Sequence, residues 1–272
     1  ALLALERLHE ARGEWQKLVG VLQSRDEVTT DETVQRAIAA RIGEVYETRL
    51  GDVDSAIVAH DELVRRFGPD AEALGALARL YERRESWQDL LETLQSHLEI
   101  EDRDDARARL LARIADLQRT RTGELEAAIE GYAEVLSLAP GERAAVEGLE
   151  ALLRDEDPGA RIAAGRVLVP RIADRGEPAR LVEALEVLAE SDDPAECLDA
   201  LRRGAEVASR DLEDPQRAFD CAGRAVRAGV AEPDLAAMLA VLEALADETG
   251  RHLDEARLLK EAAPDVMDGD LQ

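Results

Sequence analysis

Leu5, Leu8, Trp15 and Leu18 return 72 positions later as Leu77, Leu80, Trp87 and Leu90, with no gap between the copies. The same offset carries Arg41-Ile42 onto Arg113-Ile114, Thr48, Arg49 and Gly51 onto Thr120, Arg121 and Gly123, and Ala56-Ile57 onto Ala128-Ile129. An ungapped repeat of this length confines the chain to architectures that stack copies of one supersecondary unit. Each copy leaves an apolar face that only the next copy covers. The unit has two unlike halves of about 36 residues each.

Each half reads as two helices. Over 104–121 the apolar residues Leu110, Leu111, Ile114 and Leu117 recur every three or four positions and mark one helical face. Gly123 breaks that helix, and Glu124 and Glu126 favour the start of the next through its dipole. Leu125, Ala128, Ile129, Tyr132, Val135 and Leu136 form the second stripe, which Pro140-Gly141 ends. Aromatic residues make up only 3% of the chain against 46% apolar residues in all, so Leu, Ala, Val and Ile fill the interior. That composition favours helices over strands. Arginine supplies almost all the positive charge, a bias that carries no functional meaning here.

The third unit breaks step. Gly13-Glu14 pairs with Gly176-Glu177 at an offset of 163, and Ala128 with Ala218 at 90, so extra residues fall in 142–157. The spacing predicts one additional short helix over 142–154, closed by Asp155-Glu156-Asp157-Pro158. It predicts a following helix over 158–175 kinked by the internal Pro170. Pro158, Pro178, Pro194, Pro215 and Pro233 fall at first-turn positions, where a missing N–H is harmless. Asp102–Asp105 and Ser191–Asp193 read as N-caps and dipole partners.

The second half of each unit resembles a tetratricopeptide repeat (TPR). Ala128, Tyr132, Val135 and Pro140 match that family's small, bulky, small-or-apolar and proline positions on helix B. Ala56, His60, Leu63 and Pro69 match with the proline one residue late, and Ala218, Ala222 and Ala225 match without aromatic or proline. Gly43, Ala115 and Ala205 take the small position on helix A, where close packing needs it. The family's helix-A Trp is missing, and the turn between helices is about one residue longer. The resemblance implies an all-α, right-handed α-solenoid of stacked antiparallel helix pairs, irregular near 142–178, with roughly 14–15 helices. The 272 residues are expected to form one domain, cut from a longer chain.

Charge excludes several functions. Sixty acidic residues against 34 Lys and Arg give a net charge of −26 and argue against nucleic-acid binding and docking on anionic lipid. No apolar run reaches the length of a membrane span, and no basic leader precedes an apolar stretch, which favours a cytoplasmic location. No phosphate-binding glycine loop is present, and no cofactor is expected. None of His9, His60, His97 and His252 has a second His or Cys one helical turn away, so no metal site is expected. His60-Asp61 resembles a hydrolase metal pair, yet His60 stands where Tyr132 stands one unit later and reads as a packing residue. Cys197 and Cys221 read as small buried residues, and Trp15 and Trp87 as plugs between helix B and its own helix A.

What remains is surface, and the reading is a non-enzymatic protein-interaction scaffold. The resemblance implies that the A helices line a concave side presenting Glu44, Glu47, Arg79, Glu82, Arg83, Asp116 and Arg119. Glu44, Arg79 and Asp116 hold equivalent places with alternating sign. They form either a ladder of ion pairs between repeats or a groove offering both signs to a partner protein or peptide. The family's carboxylate-clamp positions hold Ala40, Glu44, Gly75 and Arg79, which is not its Lys and Asn pattern. The alternative is an assembly element that stacks on further repeats or self-associates. Its signs are the apolar start Ala1-Leu2-Leu3, and Glu261–Gln272 reads as a polar stop.

Overall fold

A computed structural model describes residues 1–263, so most of the expected polar stop lies outside the described residues. Two compact units emerge, one spanning Ala1–Glu142 and a second beginning at Arg143. All regular structure among the described residues is helical.

The first unit contains α1 (Leu2–Arg12), α2 (Trp15–Val28), α3 (Glu32–Val45), α4 (Val53–Phe67), α5 (Ala71–Arg84), α6 (Trp87–Ile100), α7 (Asp104–Leu117) and α8 (Leu125–Leu138). Each helix packs on the one that follows it. The bounds of α2 and α3 map onto those of α6 and α7 at the 72-residue offset, residue for residue. In the second unit α9 (Arg143–Leu152) is the added short helix. Then come α10 (Pro158–Arg175), α11 (Pro178–Leu188), α12 (Pro194–Arg210), α13 (Pro215–Ala228), α14 (Leu235–Thr249) and α15 (His252–Ala262), again packed in succession.

The residue that lengthens the turn between helices is not in the loop. It is taken up inside the chain's only described π-helical turns, Tyr46–Leu50 after α3 and Gln118–Thr122 after α7. A π turn closes i→i+5 bonds and absorbs an extra residue without breaking the helix. Gly51 and Gly123 then adopt φ of 66° and 75°, a left-handed conformation that glycine enters without strain. The N–H groups of Asp52 and Glu124 close both ends by donating to the Tyr46 and Gln118 carbonyls at 3.0 Å.

Small residues set the hairpin spacing. Ala115 and Ala128 are fully buried, and a Cβ added at Gly131 would lie 3.1 Å from that of Ala115. Gly13 and Gly176, matched in the sequence, both end helices at φ 65°.

Several expectations need correction. Trp15 packs on a cluster of Leu18, Val19 and Leu22 from α2 with Ile38 and Val45 from α3, so it also reaches the following helix. Trp87 packs on a cluster that includes Ala78 of its own helix A, α5, with Leu90, Leu91 and Leu94 of α6 and Ile114 and Leu117 of α7. Pro233 precedes α14 by two residues, whereas Pro158, Pro178, Pro194 and Pro215 do occupy first turns. The N-cap of α7 is Arg103, with Asp104 and Asp105 inside the first turn, while Asp193 does cap α12. α10 does span Pro158–Arg175 with Pro170 in its interior, as the spacing predicts. Cys221 is buried against Gly204, and burial pushes its thiol up to about 11. Cys197 is only half-buried, its thiol donating to the Ala189 carbonyl.

Candidate functional site

A groove of about 770 Å³ runs between α3 and α5 with α4 as its floor. Asp31 and Asp70 fix the starts of its two walls by accepting from the N–H groups of Val34 (3.2 Å) and Ala73 (2.9 Å). Ala40, Gly75 and Ala76 leave the space open because their side chains do not reach across it. The four clamp-equivalent positions, Ala40, Glu44, Gly75 and Arg79, all line this groove.

Of the residues singled out in the sequence, Glu44, Glu47 and Arg79 converge here. The Glu47 carboxylate, 15% exposed, takes Arg79 at 3.4 Å and Arg83 at 4.0 Å. Glu82, Asp116 and Arg119 pair elsewhere: Glu82 with Arg113 at 2.7 Å, and Asp116 with Arg119 on its own helix at 2.7 Å. The ladder between repeats exists, but Glu10–Arg41, Glu47–Arg79 and Glu82–Arg113 are its rungs. Glu44 and Asp116 are not part of it. The Glu44 side chain is exposed and makes no ion pair or hydrogen bond among the described residues, while its carbonyl accepts from the Thr48 hydroxyl.

His60 forms part of the floor and is 6% exposed, with no hydrogen-bond partner for either ring nitrogen. Its ring lies directly on Gly43, where an added Cβ would meet Nε2 at 2.5 Å. Burial holds the imidazole below its ordinary pKa, and Arg79 adds to that, while Glu47, Asp61 and Asp70 oppose it. The neutral ring therefore offers one acceptor nitrogen and one N–H donor, both without a partner among the described residues. Reading His60 as packing accounts for its burial and overlooks this orphaned polarity.

Arg36 and Arg41 also line the groove. Both are occupied, Arg36 by the Phe67 carbonyl at 2.6 Å and Asp70 at 3.7 Å, Arg41 by Glu10 at 2.7 Å. The second unit has a groove of its own, about 530 Å³ between α12 and α14, floored by Ala222 and Ala225 and walled by Met238 and Val241. Nothing in the sequence marks it apart from the run of alanines. Among the described residues no three His, Cys, Asp or Glu side chains converge as a metal site, and no helix is long and apolar enough to cross a membrane.

A sequence model of the tetratricopeptide repeat family matches residues 1–33 and 73–108. The two matches begin 72 residues apart and fall on the Trp-bearing hairpins α1–α2 and α5–α6, not on the hairpins where the family pattern was read. No curated protein matches the sequence. Among solved structures, MamA is 17% identical, covering 66% of this chain and 92% of its own, with a TM-score of 0.41. A tetratricopeptide repeat protein from Parabacteroides merdae is 13% identical, covering 89% and 97%, with a TM-score of 0.44. YrrB, described as a TPR protein with an unusual peptide-binding site, is 13% identical, covering 76% and 91%, at 0.32. At such scores the superpositions carry no argument. The family match, the helical hairpins and the 72-residue period do.

Proposed function

Starting from a chain that is a TPR-like helical-repeat protein, an all-α solenoid, we propose that it is a non-enzymatic protein-interaction scaffold. The partner segment docks on the face carried by α3, α5 and α7, in contact with Glu44, Glu47, Arg79, Glu82, Arg83, Asp116 and Arg119. The observation that supports this reading is the α3–α5 groove, about 770 Å³ in volume and lined by side chains of both signs. Bulk charge speaks against nucleic acid as the partner.

Charge reversal tests it. Glu44→Arg with Glu47→Arg, and separately Arg79→Glu with Arg83→Glu, should each alter capture of the partner from native lysate while circular dichroism stays unchanged. Capture indifferent to both reversals sinks the assignment of this face.

A second reading, assembly through stacked repeats or self-association, draws on α1. There Leu3, Leu5 and Leu8 are 56%, 40% and 40% exposed. Light scattering across a concentration series distinguishes it: a discrete dimer favours assembly, a strict monomer opposes it.

A further inference from the structure

The internal repeat supplies a template for what the α3–α5 groove lacks. At the 72-residue offset His60 corresponds to Tyr132, Gly43 to Ala115, Glu44 to Asp116 and Glu47 to Arg119. In the later copy these places close on themselves. The Arg119 guanidinium donates to the Tyr132 hydroxyl at 3.3 Å and to Asp116 at 2.7 Å, so a cation joins the buried acceptor to the exposed carboxylate. The earlier copy keeps the acceptor and the carboxylate, as His60 and Glu44, but holds Glu47 where the cation would be. His60 is thereby more than nine-tenths buried with neither ring nitrogen bonded, and the Glu44 carboxylate is unpaired.

We propose that this position is an arginine subsite: a guanidinium from the docked partner occupies the place that Arg119 fills in the later copy, bonding Glu44 and Glu47 and donating to His60. The inference rests on the reading of the α3–α5 groove as a docking face. It also settles the sign of the partner segment.

The local chemistry agrees. Arg36 and Arg41 are occupied by Asp70 and Glu10, and Arg79 and Arg83 are held on Glu47. The groove's own cations are therefore engaged, and an incoming carboxylate would have to break an existing pair. An incoming guanidinium finds one free carboxylate, a second with lone pairs to spare and a neutral imidazole. Its five donors in a planar fork suit three acceptors around one point better than an ammonium does.

The test uses the 272-residue chain and two acetylated, amidated peptides. One alternates alanine with arginine, and the other replaces each arginine by neutral citrulline. Long-range ¹H–¹⁵N spectra resolve the four histidines, and His60→Gln identifies the His60 signal. The arginine peptide should move that signal saturably, the citrulline peptide should not, and Glu44→Gln should weaken binding about tenfold. Glu47→Arg, which copies the later unit, should abolish the response while circular dichroism shows the helices intact. If arginine peptide saturates backbone amides of α3 and α5 while His60 stays unmoved, the subsite is wrong although the docking face stands. If no α3 or α5 amide responds to that peptide, the subsite is wrong and the docking face loses its support as well. Equal binding of the citrulline peptide also overturns the subsite, because charge then plays no part.

Discussion

The guanidinium of Arg49 lies over the ring of Trp15, 5.0 Å from its centroid. The arrangement returns 72 residues later, where Arg121 covers Trp87 at 4.6 Å. Each arginine comes from the π turn that ends one A helix, and each tryptophan opens the B helix before it, so the contact ties one hairpin to the next. Arg121→Ala should lower stability in urea by about 0.5–1 kcal/mol, the range for an exposed cation over an aromatic face. In a Trp87→Leu background the same change should cost nothing measurable, which a double-mutant cycle would show.

Close approach at Gly43 gives a second expectation. A Cβ there would strike the His60 ring, so Gly43→Ala should destabilise by about 1–3 kcal/mol through overpacking. His60→Ser should recover most of that loss. Thermal melts of both variants decide it, and an unshifted Gly43→Ala melt would mean the ring is not seated on the glycine.

Ala128 holds the small helix-B position, whereas Ala222 stands in the third unit where the bulky Tyr132 stands in the second, and their surroundings differ accordingly. Ala128 is fully buried in the tight α7–α8 hairpin, whereas Ala222 borders the 530 Å³ groove. Ala128→Leu should therefore cost on the order of 1–3 kcal/mol and Ala222→Leu clearly less. Melting temperatures in the reverse order would refute the repeat alignment that places Ala128 at the small position and Ala222 at the bulky one.

Two titrations weaken the fold in acid, in different windows. Burial depresses the His60 pKa below 6.5, so the unfolded chain binds the proton more readily and stability falls as pH drops below that value. His60→Gln should remove this component. Glu196 is held down to about 2 by two hydrogen bonds from Arg166, each 2.7 Å. Its contribution is complete above the ordinary value of 4.5 and disappears as pH falls towards 2. Arg166→Met should cost about 0.2–1 kcal/mol at pH 7, because the arginine is 55% exposed and water screens the pair. At pH 2 parent and variant should unfold alike in urea.

A net charge of −26 makes the chain repel itself, and the screening length falls to about 10 Å at 0.1 M salt. Melting temperature should rise from very low to moderate salt and then level off. A steady fall would show that the exposed rungs such as Glu10–Arg41 outweigh the general repulsion.

Much of this architecture was legible because its signals are residue types at fixed spacing. Trp15, Gly51 and the leucine stripes announce their counterparts one period away, and the added helix α9 follows from the lost register after 142. The π turns were hidden, since an extra residue looks the same in sequence whether it enlarges a loop or widens a helical turn. Trp15 and Trp87 announced packing but not its full reach, because each also meets a cluster that extends into the helix after its own, α3 or α7. The groove was half visible. Aligning Glu47 with Arg119 already held the missing cation, yet alternating signs at Glu44, Arg79 and Asp116 suggested rungs that the side chains do not form. Only the placement of His60 on Gly43 shows an acceptor left over.

The widened turns at Tyr46–Leu50 and Gln118–Thr122 follow every second A helix of the first unit, α3 and α7, and not α1 or α5. A hairpin beginning with α3 and one beginning with α5 therefore present differently shaped ends to whatever is stacked on them. They are not interchangeable bricks. Lengthening or shortening this protein one hairpin at a time would seat a plain helix end against a neighbour contoured for a widened one. Interlocking copies come in multiples of four helices, and that quartet is the smallest piece an engineer could splice.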